Sequence, residues 1–337
     1  ITPIHMITVI CLMLTIVIAL CSLYSANIIF LLIKRVMWEI IDPDLFWFDF
    51  KITNSLLKVD MKQKLEVLTT RKKVLEALKN RINQHYSTHR RANRWNSVLE
   101  RCFPFSNSSN RDTISRSFHK LKEILIKYEI SGVCSALCLC EAPGGFLQYI
   151  LDHYEGVVCR AVSISDSIEF SRHIKLSPTL VYMNILTQSS KMRWKRVDLV
   201  TADGGIDCSH DYTNQEIANT PIIIQEIEVC RHNLRIGGTF VVKIFDMYTT
   251  NTYRIIVWLT RLFGTLHICK PPTSKPSNSE KYLVCLGFNG EDVSLDEVKT
   301  DGKTIPNLVN WINQYTIDLQ IKTIGEILDK IESPPCR

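Results

Sequence analysis

Four short stretches carry residues whose type and spacing could do chemistry. "CEAPGGF", Cys140 to Phe146, puts an acid, a proline and two glycines directly after the apolar run "CSALCL". Gly144 and Gly145 let a ligand approach the backbone, and the N–H groups of a helix opening there would point at it. Neither GxGxxG nor a GxxxxGKS/GxxxxGKT pattern is present. The turn therefore suits a ligand less rich in phosphate than a dinucleotide or a triphosphate. "VDLVTADGGIDCSHDYTNQE" brings Asp203 to the end of another apolar run, with a polar loop behind it. "IGGTFVVKIFD" ends on Lys243, where a charge serves no packing purpose, and "KPPTSKPSNSEKYLVCLGF" sets Glu280 just ahead of a further run. Taken alone, Glu280 reads as an ordinary salt-bridge partner.

The elements that must position these residues follow from the texture around them. Seven β-rich runs, 134–140, 157–163, 180–183, 197–202, 239–244, 265–269 and 282–286, alternate with helical stretches. Such alternation implies a mostly parallel sheet covered by helices. Ligands of that architecture lie beyond the C-terminal ends of the strands. The Gly-Gly turn and Asp203 would then face one crevice. Ahead of the first run, residues 58–101 repeat apolar residues at helical spacing, and the last 30 residues, from Pro306, read as amphipathic helix packed on the domain.

Charge is unevenly spread along the chain. The net charge is +6, yet residues 51–101 hold 13 Lys/Arg against 4 Asp/Glu, a local +9, and the rest, 27 against 30, sums to −3. Such a block reads as a solvated helix face or as a grip on a polyanion such as RNA. In this block Arg71, Lys72, Lys73, Arg90, Arg91 and Arg94 are the candidate RNA contacts. The 12 cysteines include no CxxC pair. That excludes a zinc framework and points to buried thiols in a reducing compartment. No metal is expected.

The chain does not begin with Met, which suggests a processed product or an excised piece. From Met6 to Ile33, 28 residues pass without a charge, and Lys34 and Arg35 follow at once. A run of that length is expected to span a bilayer, with everything after it in the cytosol. The organisation expected is an anchor over 1–35, an interfacial linker and basic helices over 36–110, a catalytic domain over 111–300 and a helical tail over 301–337.

Taken together, "EAPGGF", "TADGGID", "GGTFVVKIFD" and "KPPTSKPSNSEKYLVC" resemble the FtsJ-type (RrmJ-like) 2′-O-ribose methyltransferases. The last two stretches are most similar to the viral and eukaryotic mRNA cap enzymes of that group. The resemblance covers roughly residues 111–290. It implies a Rossmann-like methyltransferase fold of about seven strands with helices on both faces, S-adenosylmethionine as cofactor and capped RNA as substrate. It also implies a Lys-Asp-Lys-Glu tetrad. "SRSFHKLKEI" matches the segment bearing the first lysine, so the tetrad would be Lys120, Asp203, Lys243 and Glu280, spaced by 83, 40 and 37 residues.

By the same resemblance Cys140, Glu141, Pro143, Gly144, Gly145 and Phe146 surround the methionine moiety of the cofactor, Phe146 reading equally well as helix packing. Where many methyltransferases have a ribose-binding acid, this chain has "AVSIS", leaving Ser163 or Ser165. Asn184 takes the place of an adenine-facing Asp and could use its carbonyl toward the amino group. Asp203 would also border the cofactor. Residues 207–216, beginning at Asp207, would line the RNA entrance, and Arg116 would bind a phosphate.

A ribose hydroxyl must lose its proton as it attacks the methyl group. A lysine can take that proton if burial or a neighbouring cation brings its pKa toward neutrality. Lys243 is the expected base and Lys120 the expected neighbouring cation, with Asp203 and Glu280 orienting both. The expectation is a membrane-tethered cap 2′-O-methyltransferase, a segment of a viral replicase polyprotein with other replicase proteins as partners. The alternatives are a ribose methyltransferase of rRNA or tRNA, and a catalytically silent RNA-binding or membrane-anchoring module.

Overall fold

The structure, a computed structural model, describes residues 48–52, 65–85, 94–103, 113–164, 169–172, 174, 178–206, 208, 214–299 and 307–333. Eight strands form one sheet. They are β1 (Phe48–Ile52), β2 (Ser135–Leu139), β3 (Val158–Ser163), β4 (Thr179–Tyr182), β5 (Val197–Ala202), β6 (Leu234–Ile244), β7 (Phe263–Lys270) and β8 (Lys281–Phe288). Their spatial order is β1-β7-β8-β6-β5-β2-β3-β4. The β6-β5-β2-β3-β4 half is parallel, whereas β8 runs antiparallel to both β6 and β7, and β1 antiparallel to β7.

The two faces of the sheet explain the apolar runs. Leu137 and Leu139 of β2 enter one core cluster, and Ala136 and Cys138, one step along, enter the other. A strand covered on both sides has no solvent face, so β5 is buried at every position. The helices that cover the sheet are α3 (Ser117–Lys127), α4 (Gly145–His153), the short α5 (Ile185–Gln188), α6 (Gln215–Asn233) and α7 (Thr250–Leu262).

Three further helices, α1 (Leu65–Gln84), α2 (Arg94–Cys102) and α8 (Asn307–Glu332), share a third core. Leu75, Ile82, Trp95 and Leu99 pack there against Ile317, Ile324 and Leu328. The segments expected as an N-terminal linker and a C-terminal tail therefore meet. Residues 48–52, expected as interfacial linker, supply the edge strand β1, whose Asp49 accepts from Tyr128 Oη at 2.8 Å and lies 2.9 Å from His267 Nδ1.

The expected membrane association is corrected. Among the described residues no helix is long and apolar enough to cross a membrane. The 26-residue α8 has the length, but Asp318, Lys322, Glu326, Asp329 and Lys330 punctuate it. The expected span at residues 6–33 lies outside the described residues.

Candidate active site

The sheet topology brings the four tetrad residues to one edge. In the parallel pair β5–β6, Ala202 faces Val242, so Asp203 and Lys243 leave the two strand ends side by side. Because β8 is antiparallel to β6, with Tyr282 opposite Lys243, the start of β8 returns to the same edge and delivers Glu280. Helix α3, packed over that end of the sheet, adds Lys120.

Two ion pairs result. Lys120 Nζ lies 2.7 Å from Glu280 Oε1, and Lys243 Nζ lies 3.2 Å from Asp203 Oδ1 while donating to the Asp203 carbonyl at 2.7 Å. All four side chains are mostly buried. Tyr282 joins the pairs: its hydroxyl donates to Asp203 Oδ1 at 3.1 Å and lies 3.4 Å from Glu280 Oε1. Lys270 Nζ supports the cluster from behind, donating to the Glu280 carbonyl at 2.7 Å and to Asn278 Oδ1 at 2.8 Å.

The electrostatics differ from the expectation in one respect. Burial works against the Lys243 ammonium, but the Asp203, Glu280 and Glu226 carboxylates outweigh it and hold the group above the ordinary lysine range. Lys120 pairs with Glu280, and the balance at Lys243 is a rise, not the expected depression. Glu280 is held well below the usual carboxylate range: burial opposes its charge, but Lys120, Lys243 and Lys270 together overcome it.

Beside the tetrad opens a cavity of about 630 Å³ that reaches Asp203, Gly205 and Lys243. Val162, Met183, Leu186, Ile206 and Ile222 give it apolar walls, and Cys140, Ser163 and Asn184 add polar groups. A long donor with a flat apolar ring at one end and charged groups at the other matches that lining. S-adenosylmethionine fits this lining, and Val162, Ser163, Met183, Asn184 and Asp203 would hold it.

The Gly-Gly turn packs tightly against the protein's own loops. Gly144 has φ +113°, and a Cβ there would come 2.9 Å from Ile174 Cδ1. A Cβ on Gly145 would lie 2.1 Å from Ser117 Oγ and 2.2 Å from Ser115 Oγ. The close approach that needs glycine is thus to the protein's own loops. The helix N–H groups are also committed: Glu141 Oε1 accepts from Leu147 N at 2.9 Å, and burial holds this carboxyl far above the usual range. Pro143 accepts from Ser171 N through its carbonyl. Phe146 is fully buried, its ring 6.0 Å from that of Tyr282, so the packing reading describes it.

Asn184 does line the cavity, but its carbonyl is the N-cap of α5, accepting from Leu186 N at 2.9 Å. An amide oxygen accepts two hydrogen bonds, so the cap leaves one acceptor position on Asn184 for an adenine amino group. Ser165 and Asp207 lie outside the described residues. Sequence reasoning missed Tyr282, which stands at the start of β8, two residues after Glu280. It also missed Glu226, which accepts from Gly204 N at 3.1 Å beneath the cavity and is pushed up to about 8 by burial.

The candidate RNA contacts fare differently. Arg71 pairs with Asp318 of α8, and Lys72 Nζ sits 3.9 Å above the centre of the Tyr248 ring. Both serve the packing of α1, whereas Lys73 is exposed. Arg116 donates to Glu100 of α2 at 2.8 Å. Arg90 and Arg91 lie outside the described residues.

The FtsJ-like methyltransferase family matches residues 113–288, more than half of the chain. A Drosophila melanogaster cap-specific mRNA (nucleoside-2′-O-)-methyltransferase 2 is 27% identical over 277 residues, covering 71% of this chain and 39% of that protein. A Trypanosoma cruzi cap-specific mRNA (nucleoside-2′-O-)-methyltransferase 1 is 30% identical over 221 residues, 56% of this chain and 61% of that one. An African swine fever virus protein described as "Probable methyltransferase EP424R" is 28% identical over 209 residues, 52% of this chain and 49% of that one. The chain thus spans roughly two fifths to three fifths of the length of these relatives.

Proposed function

The chain belongs to the FtsJ-like methyltransferase family, and from that premise we propose that it is an S-adenosylmethionine-dependent RNA 2′-O-ribose methyltransferase acting on capped mRNA. The observation that carries this reading is the meeting of Lys120, Asp203, Lys243 and Glu280 beside a donor-sized cavity. When bound, the cofactor supplies a methyl group already activated by a positive sulfur. The protein's share is then to hold the acceptor ribose and take its proton.

Lys243 Nζ, fixed on the Asp203 carbonyl and carboxylate, is placed to receive the 2′-hydroxyl proton once it has given up its own. The Lys120–Glu280 pair and the Tyr282 hydroxyl keep the two carboxylates from turning away. Burial of most of these side chains limits water around the lysine, and in-line placement of the reacting oxygen supplies much of the rate. The cap preference rests on likeness to relatives whose names are cap-specific. A viral relative keeps a viral origin compatible with the reading.

The test is methyl transfer to two RNAs of one sequence, capped and uncapped. The reading expects the capped RNA to be methylated at least tenfold faster. Equal rates would replace it with a ribose methyltransferase that ignores the cap.

A further inference from the structure

Arg116, Lys275 and Lys120 gather at the edge of the tetrad away from the donor cavity. Arg116 precedes α3 and stands four residues before Lys120, on the same helix face. Lys275 lies in the loop that ends at Glu280. Arg116 Nη2 donates to both oxygens of Glu100, at 2.8 and 3.1 Å, and Lys275 Nζ donates to Oε1 of the same carboxylate. The side chain of Glu100 is 48% exposed, against 28% for Arg116 and 15% for Lys275. The cations are seated in the wall and the anion rests at the rim.

Resting on the function proposed above, we propose that Arg116 and Lys275 form the subsite for the RNA phosphate beside the acceptor ribose, and that Glu100 occupies it until RNA displaces it. A carboxylate offers one negative charge over two oxygens, as a phosphodiester does, so the arginine fork that grips Glu100 grips a phosphate equally well. Lys275 is held below the ordinary lysine range, first by burial, with Arg116 and Lys120 adding repulsion that Glu100 offsets. Glu100 is the carboxylate that Arg116 and Lys275 share, and a phosphodiester oxygen pair would offer them the same charge. Both cations lie within the family-matched residues 113–288. Glu100 lies outside them, on α2 of the helical module, so this module sets access to the subsite.

Three RNA-binding measurements on the full chain test this, using fluorescence polarisation of a short capped single-stranded RNA. Glu100→Gln is expected to bind it about two- to fivefold tighter, the worth of a half-exposed ion pair. Arg116→Gln with Lys275→Gln is expected to weaken binding at least tenfold and to flatten the slope of log affinity against log salt by roughly 0.7, the value for one lost phosphate contact. One neutral methylphosphonate linkage next to the acceptor nucleotide should weaken wild-type binding and leave the double variant's affinity unchanged. A Glu100→Gln protein that binds RNA no tighter, and only melts earlier, would make the bridge a structural tie and overturn the proposal. So would a double variant with wild-type salt dependence. Binding is read without turnover, so these outcomes stand apart from any failure of the methyl-transfer reading.

Discussion

Replacing Lys243 separates the proton transfer from everything else the site does. Its Nζ touches Asp203 twice, at 2.7 Å to the carbonyl and 3.2 Å to the carboxylate. Lys243→Ala removes the group that takes the ribose proton, a contribution of about 10²–10⁴ in rate, or about 2.7–5.4 kcal/mol at 1.36 kcal/mol per tenfold. The fold should survive. Asp203 keeps the Tyr282 hydroxyl at 3.1 Å and some solvent, so the cost is about 2 kcal/mol rather than that of an abandoned buried charge. Lys243→Arg keeps the cation and should recover most of that stability. It should not recover turnover, because a guanidinium does not release its proton near neutral pH. The assay is single-turnover methyl transfer at saturating donor and capped RNA, with donor affinity and Tm measured on the same samples. Turnover of the Arg variant within tenfold of wild type would refute the role given to Lys243. So would an Ala variant whose donor affinity falls as far as its rate.

The remaining expectations come from neighbouring groups. Because the Asp203 and Glu280 carboxylates hold Lys243 above the ordinary lysine range against burial, its base form is scarce at neutral pH, and the single-turnover rate should climb steadily from pH 6 to 9; a plateau below pH 8 would contradict this. Tyr282→Phe takes away the hydroxyl shared by Asp203 and Glu280 and should lower the rate about tenfold or more, the worth of a hydrogen bond to a charged group, with little change in donor affinity. Glu226 has its folded pKa raised from 4.5 to about 8, so the folded state holds the proton more tightly. Its contribution to stability declines as pH rises from the unfolded value to the folded one and is level above it. Glu226→Gln should therefore flatten the dependence of Tm on pH between about 5 and 8, and an unchanged profile would sink that assignment. Gly145→Ala drives a methyl into Ser115 and Ser117 and should lower Tm by several degrees, the outcome of overpacking a tight contact.

Much of this fold was legible because its strands are buried on both faces. Val197–Ala202, "VDLVTA", reads as a mostly apolar run with Asp198 and Thr201 inside it, and every residue of it is buried. Edge strand β1 escaped notice: "FDFKI" alternates with period 2, but the aromatic and acidic residues around it suggested a membrane interface. The pairing of α1 with α8 joins segments more than 200 residues apart, and no local pattern reports a contact of that range.

At the site, residue type and strand-end position pointed to Asp203 and Lys243, whereas Lys120 and Glu280 stood out only through the family resemblance. The protonation of Lys243 was not readable, since it depends on how many carboxylates come near, and Glu226 reaches it from a helix that sequence gave no reason to count. The use of the glycines was hidden likewise. Gly144 and Gly145 are required by Ile174, Ser115 and Ser117, partners known only once the chain is folded.

The central claim is that this tetrad directs a methyl group onto a ribose 2′-oxygen. The most direct measurement supplies labelled S-adenosylmethionine and capped RNA, digests the product to nucleosides and identifies the methylated one by mass spectrometry. A parallel RNA carries a 2′-deoxy sugar at the acceptor position. The account predicts a 2′-O-methylated nucleoside from the first RNA and no label in the second. A methylated base, or equal labelling of the deoxy RNA, would contradict it.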